Sequence, residues 1–326
     1  MSCEKDTSSN NHPPPSIIIL PTQGFCNRLR ALASAYTLAK YFNTSFYLNW
    51  EPEECCNCDF EDIFTNKSFR TIDMNTVVRS NNYLFSPNTH TNNLIPHMLK
   101  NGHDYVIIKG GHEFKHPDMP VIEFLQHKHQ FYKSLCFTAQ INNIVNLVNC
   151  IDCVGVHYRD FVPKYDSLDG RDFSARSPIE SFMEVIMRLY HRNNSTRFYL
   201  SSNTNVAFEH ISKRIPTENI VCLKDIETER NSSLGVIHAV SSLLLLSRCR
   251  FVVGTVMSSF SDEACFFHNI SKLCIGDEKI SAYHCYGYNE ILDHKMLLPN
   301  CNILYHIYKE EDGEKEMLHQ SESGPR

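Results

Sequence analysis

The sequence predicts an α/β protein built from two doubly wound, Rossmann-like domains. Three observations point there. A β-branched apolar run meets a glycine turn and an amphipathic helix in "IIILPTQGFCNRLRALASAY", Ile17 to Tyr36. Short apolar runs alternate regularly with helical periods from Cys153 to Ile275. The chain, 326 residues and 42% hydrophobic, is long enough for two cores.

In the first domain, Ser16 to Leu20 has the composition of a buried strand. Asn27 to about Phe42 carries apolar residues at Leu29, Leu32, Ala33 and Tyr36, the i, i+3, i+4, i+7 pattern of a helix. A second strand is expected at Ser45 to Trp50, so the opening is a βαβ unit and its sheet is parallel. Glu51 to about Gly102 reads as loops and short elements, being rich in Asn, Ser, Thr and Pro. "YVIIKG", Tyr105 to Gly110, is a strand, and Val121 to Leu135 and Thr138 to Val148 are helices. These place the domain boundary at Cys150 to Asp152, giving a first domain over 16–150 and a second over 151–308.

The second domain reads as strands at Cys153 to His157, Arg197 to Leu200, Ile220 to Leu223, Phe251 to Gly254 and Leu273 to Ile275. Helices at Pro178 to His191, Val206 to Arg214, Leu234 to Ser247 and Ser261 to His268 separate them, and Ile291 to Tyr308 closes the domain. Polar tails at 1–15 and 309–326 are expected to be disordered.

Bulk properties narrow the chemistry. A formal charge of -6 without a long Lys/Arg run speaks against a nucleic-acid partner. The N-terminus "MSCEKDTSSNNHPPPS" has no apolar h-region, and no window approaches the roughly 18 apolar residues of a membrane span. The expected location is therefore the cytoplasm, and most of the fourteen cysteines are then reduced, buried hydrophobes. The Asn-x-Ser/Thr sequons at Asn43, Asn66, Asn194, Asn231 and Asn269 carry no meaning unless the chain enters a secretory lumen. "ECCNCDF" is badly spaced for zinc, the histidines of "HEFKHPDMPVIEFLQHKH" read as solvated with metal as the lesser alternative, and no GxGxxG or GxxxxGK[ST] motif occurs, so no metal site or resident cofactor is expected.

Candidate site residues fall at the carboxyl ends of strands, where sheets of this kind bind ligands. Arg28 and Arg30 stand at the head of the first helix, against the preference of the helix dipole, and so call for an anion. Arg30 lies about 200° around the helix from Arg28, so the expectation rests on Arg28. "CVGVHYRD" ends a strand in His157 and Arg159; a guanidinium fits phosphate oxygens, although Arg159 and Asp160 could equally form a surface pair. Ser202 and Asn203 in "FYLSSNTN" suit a ligand edge, and suit an ordinary turn as well. "FVVGTVMSSFSDEACFF" runs from strand to helix through Ser258 to Ser261, with Ser259 and Asp262 at capping-box spacing; this is either a phosphate site or a well-capped helix.

The order of these motifs resembles the GT-B fucosyltransferase superfamily, which includes protein O-fucosyltransferases, α1,6-fucosyltransferases and nodulation fucosyltransferases. "GFCNRLRALASAY" is similar to the family's first loop and helix, "VGVHYRD" to its H-x-R segment, and "LLLLSRCRFVVGTVMSSFSDEA" to its closing donor-site motif. The resemblance implies a GT-B fold with its two domains facing across a cleft. It also implies inverting, metal-independent transfer of fucose from GDP-fucose to a hydroxyl of a glycan or protein acceptor.

By position, Arg159 matches the arginine at the donor diphosphate and His157 the histidine beside the nucleoside. Ser258, Ser259, Phe260 and Ser261 match the segment around phosphates and base. Gly24 and Asn27 match the first-domain loop that approaches the diphosphate, with Arg28 beside it, while Ser202 and Asn203 correspond to small polar or acidic residues near the nucleotide. Asp160 stands where many relatives have a second arginine, and Ser241 and Ser242 where they carry an acidic residue. Asp160, Asp166, Asp169 and Asp172 are the carboxylates clustered after H-x-R, and none is singled out as the base. The absence of an anchor or leader fits a cytosolic enzyme, bacterial-like or viral in style and then in the host cytoplasm. Two alternatives stay open: a GT-B enzyme for another nucleotide sugar, and an inactive member that binds a glycan or protein.

Overall fold

The computed structural model describes residues 13–67, 69–80, 82–87, 102–160, 173–276 and 279–283. The tails, Asp166, Asp169, Asp172 and the closing segment expected at Ile291 to Tyr308 lie outside the described residues, apart from 13–15. In chain order the elements are β1 (Ser16–Pro21), α1 (Phe25–Tyr41), β2 (Phe46–Leu48), α2 (Phe60–Ile63), β3 (Arg70–Thr71), α3 (Met74–Ser80), β4 (Tyr83–Pro87) and β5 (Tyr105–Gly110). They continue with α4 (Val121–Ser134), α5 (Ala139–Asn146), β6 (Val154–Tyr158), α6 (Phe173–Arg176), α7 (Ile179–Arg192), β7 (Phe198–Ser202), α8 (Val206–Ser212) and β8 (Ile220–Val221). Last come α9 (Ser233–Ser247), β9 (Phe251–Thr255), α10 (Ser259–His268), β10 (Lys272–Gly276) and β11 (Lys279–Tyr283).

The chain divides into two units. The first comprises residues up to Glu53 together with Thr65–Cys136. Its sheet has the order β3-β2-β1-β5-β4 and every pairing is parallel. A parallel sheet covered on both faces needs continuous apolar strands rather than alternating ones. The fully buried Ile17, Ile18 and Ile19 of β1 satisfy this, each contributing roughly 1.5–3 kcal/mol by leaving water. The expected β1, α1, β2 and β5 are all present, and β3, α3 and β4 are among the short elements expected between Glu51 and about Gly102. Those three elements run only two to seven residues, too short to show a period.

The second unit holds Glu54–Phe64 and everything from Phe137 onward. Its sheet has the order β11-β10-β9-β6-β7-β8, parallel except for the antiparallel edge strand β11. β6 is buried along its whole length, and α7 covers one side of the sheet with Phe182, Val185 and Ile186 in the same core.

The boundary expected at 150 thus falls at 136/137, and an excursion from the first half joins the second unit. The physical reason is packing. Helix α5 was legible from its Ile141 and Val145 stripe, but that stripe packs on α9, a partner remote in sequence. The excursion is held by backbone and side-chain bonds: Asn57 donates from its amide N–H to the Arg230 carbonyl (3.1 Å) and from Nδ2 to that of Asn231 (2.8 Å). Cys58 lies 3.4 Å from the Ser233 hydroxyl, and burial pushes its thiol up to about 11. The cysteine cluster is therefore a structural docking element, and the described cysteines form no disulfide.

Candidate functional site

The second unit places its site by topology. From β6 the chain proceeds through β7 to β8 on one side, then returns to put β9 on the other, so the strand order reverses between β6 and β9. Ligands of open α/β sheets bind outside the carboxyl ends of the strands at such a reversal. His157, near the end of β6, stands in register between Ser201 of β7 and Gly254 of β9. Arg159 follows directly, and the turn into α10 begins two residues beyond Gly254. The structure thus brings His157, Arg159, Asn203, Ser258, Phe260 and Ser261 to one sheet edge.

A bond network fixes this edge. The Thr255 hydroxyl donates to the His157 carbonyl (3.2 Å) and accepts the Arg159 amide N–H (3.0 Å), so the last turn of β9 sets the start of the Arg159 segment. The Asp160 amide N–H donates to Asn203 Oδ1 (3.0 Å), while its carboxylate accepts the Thr204 hydroxyl (3.2 Å). Ser202 Oγ accepts the Thr204 amide N–H (3.3 Å). Asp160 therefore ties the end of β6 to the loop after β7 through Asn203 and Thr204, and Ser202 braces that loop from within, the turn-forming alternative for those residues. Ser241 and Ser242 are also occupied internally: Ser241 bonds the Ile237 carbonyl, and Ser242 Oγ meets the Tyr199 and Ser201 hydroxyls at 3.0 and 2.9 Å.

Buried polar atoms of His157 and Ser258 are left over. The His157 side chain is buried and stacks on Phe260, ring centroids 4.9 Å apart and planes at 19°. Its Nδ1 and the Oγ of fully buried Ser258 have no hydrogen-bond partner among the described residues. Leaving a buried polar group unpaired costs about 1–3 kcal/mol, so two such atoms at one edge mark a place for a polar ligand. Burial first, then the Lys272 and Arg159 charges, hold the His157 imidazole well below its usual range, and the ring is neutral at pH 7.

Helix α10 opens onto the same edge after Met257, whose φ of 54° makes the sharp turn a left-handed one. The N-cap is Ser258, and its side chain makes no capping bond. The capping box expected from Ser259 and Asp262 is not formed, because the helix starts one residue earlier, from Ser258, and Asp262 pairs with Lys272 (2.7 Å). The first N–H groups of α10 have no side-chain cap from Ser258 and can meet an anion. Thr255 and Lys272 were missed from sequence. Their partners come from other strands and helices, and no local spacing announces them.

In the first unit, Gly24 is the N-cap of α1 and the left-handed residue is its neighbour Gln23 (φ 69°). Asn27 Nδ2 donates to Gln23 Oε1 at 2.7 Å. Arg28 corrects the expectation. Its side chain is wholly buried, donates from Nε to the Gln23 carbonyl (2.8 Å) and from Nη1 to the Glu51 carbonyl (2.7 Å), and lies over the Trp50 ring at 4.7 Å. Nη2 faces Glu53 Oε2 at 3.1 Å as an ion pair without hydrogen-bond alignment. The anion that the helix-head arginine required is this carboxylate, which also accepts the Gln23 amide N–H (3.1 Å).

No described group of His, Cys, Asp or Glu side chains forms a metal site, and no described helix is long and apolar enough to cross a membrane.

The fold of the chain is similar to that of solved fucosyltransferase structures. The chain is similar to fucosyltransferase NodZ from Bradyrhizobium, with a TM-score of 0.56 and 13% identity over 83% of this chain and 99% of that one. It is similar to the apo form of POFUT1, with a TM-score of 0.54 and 12% identity over 81% and 98% of the two chains. A mutant FUT1 of Arabidopsis thaliana in complex with GDP gives a TM-score of 0.53 and 12% identity over 80% and 70%. No family model matches the sequence, and no curated protein matches it.

Proposed function

We propose that the protein is an inverting glycosyltransferase that moves fucose from GDP-fucose to a hydroxyl of a glycan or protein acceptor. The carrying observation is the pair of buried, unsatisfied polar atoms, His157 Nδ1 and Ser258 Oγ, at the strand-order reversal beside Arg159 and the head of α10. The fold supports the donor class: structures of NodZ α1,6-fucosyltransferase include one soaked with GDP-fucose and one co-crystallised with GDP.

In this reading the neutral His157 ring, backed by Phe260, contacts the nucleoside, and Ser258 and the α10 N–H groups take phosphate oxygens. The acceptor hydroxyl attacks the anomeric carbon from the face opposite the diphosphate and gives up its proton to solvent water. The bond to the β-phosphate oxygen breaks, GDP leaves, and the configuration inverts. Negative charge grows on the departing oxygen, and Arg159 with the α10 dipole stabilises it where it forms, a metal-independent mechanism.

Calorimetry of GDP and GDP-fucose against wild type and Arg159→Ala tests the donor site. Loss of a charged hydrogen bond, about 1.5–3 kcal/mol, weakens GDP roughly 10- to 100-fold. Equal binding by both proteins refutes the site. Transfer of radiolabelled fucose to a panel of glycan and peptide acceptors tests the reaction, and background hydrolysis alone counts against it.

A further inference from the structure

Lys272 opens β10, yet it is 2% exposed and its stem runs beneath the donor edge. A Cβ at Gly254 would stand 2.9 Å from Lys272 Cε and 2.9 Å from Ser261 Oγ, so the bare glycine is what lets the lysine pass between β9 and α10. Its ammonium donates to the Thr255 carbonyl (3.1 Å) and to Asp262 Oδ1 (2.7 Å) in the first turn of α10. Thr255 is the residue that receives the Arg159 amide, and Asp262 belongs to the helix whose head faces the ligand edge. The lysine thus ties together the strand end, the turn and the helix of one strand–turn–helix segment.

Bracing alone does not call for a buried ammonium, since replacing such an ion pair by apolar residues of similar volume is often neutral or stabilising. Burial is the largest influence and opposes its charge, but the charge and hydrogen bond of the Asp262 carboxylate, with smaller contributions from Cys274 and Cys265, together raise the lysine above its usual range, so it is charged at neutral pH. Asp262 keeps 30% of its side chain exposed and is therefore screened by water, whereas the lysine is not.

We propose that Lys272 is a positioning residue of the donor site: a buried cation beneath the Thr255–Ser261 turn that adds its field to Arg159 and holds that turn in place for the diphosphate. The inference rests on the donor-site reading and adds a second positive group to it.

The test separates charge from bracing. Lys272→Gln keeps a hydrogen-bond donor without the charge, and the double variant Lys272→Met with Asp262→Leu removes both charges and leaves neither unpaired. Thermal unfolding checks the fold, and calorimetry compares GDP with guanosine. Both variants are expected to bind GDP about tenfold more weakly than wild type, the effect of one charge acting through an intermediate dielectric, and guanosine equally well. A folded variant that binds GDP normally, or that loses GDP and guanosine together, overturns the proposal. Wild-type protein that binds no GDP overturns the donor-site reading itself.

Discussion

Replacing Arg28 by Met distinguishes a structural arginine from a ligand-binding one. Its two hydrogen bonds to backbone carbonyls, at 2.8 and 2.7 Å, come from a charged donor and are worth about 1.5–3 kcal/mol each. The ion pair adds less, because the Glu53 side chain is 37% exposed and its charge is largely met by water once the arginine is gone. Met fills most of the space over Trp50, which removes the cavity cost. The expected loss is about 3–5 kcal/mol from the first unit, or roughly 10–20 °C in its melting temperature. GDP affinity, measured well below that transition, stays at the wild-type value. Differential scanning calorimetry and GDP titration together decide the matter: an unchanged melting temperature with a tenfold loss of GDP would refute the reasoning.

Two further changes bear on the second unit. A Cβ at Gly235 would lie 2.0 Å from the Glu229 carbonyl oxygen, a backbone atom that cannot swing aside, so Gly235→Ala must shift the first turn of α9. Overpacking of this kind costs about 1–3 kcal/mol, to be read by urea unfolding. His157 makes folding pH-dependent. Its folded-state value is depressed, so the unfolded chain binds the extra proton once the pH falls below about 6.5; stability is present above that pH and drops as the pH falls further, by up to about 1.4 kcal/mol per unit. His157→Gln removes this one-proton slope, and an identical slope in wild type and variant over pH 5–6.5 would show that the ring is not buried neutral.

The long periodic elements were open to reading from the sequence because their signal is local. Apolar runs wide enough for a covered parallel strand and stripes at helical spacing fix β1, α1, β5, β6, α7 and α9 wherever they pack. The polar residues that end β6 and introduce α10 could be located for the same reason, since the carboxyl end of a strand is a position in the chain before it is a position in space. Sequence fell short where the deciding partner is distant. It could not show that α5 packs on α9, that Asp262 pairs with Lys272, or that Glu53 is the counter-ion of Arg28. Those choices depend on which charged and apolar groups the folded sheets bring within a few ångströms, and the free energy of a pair is settled only once both partners have left water.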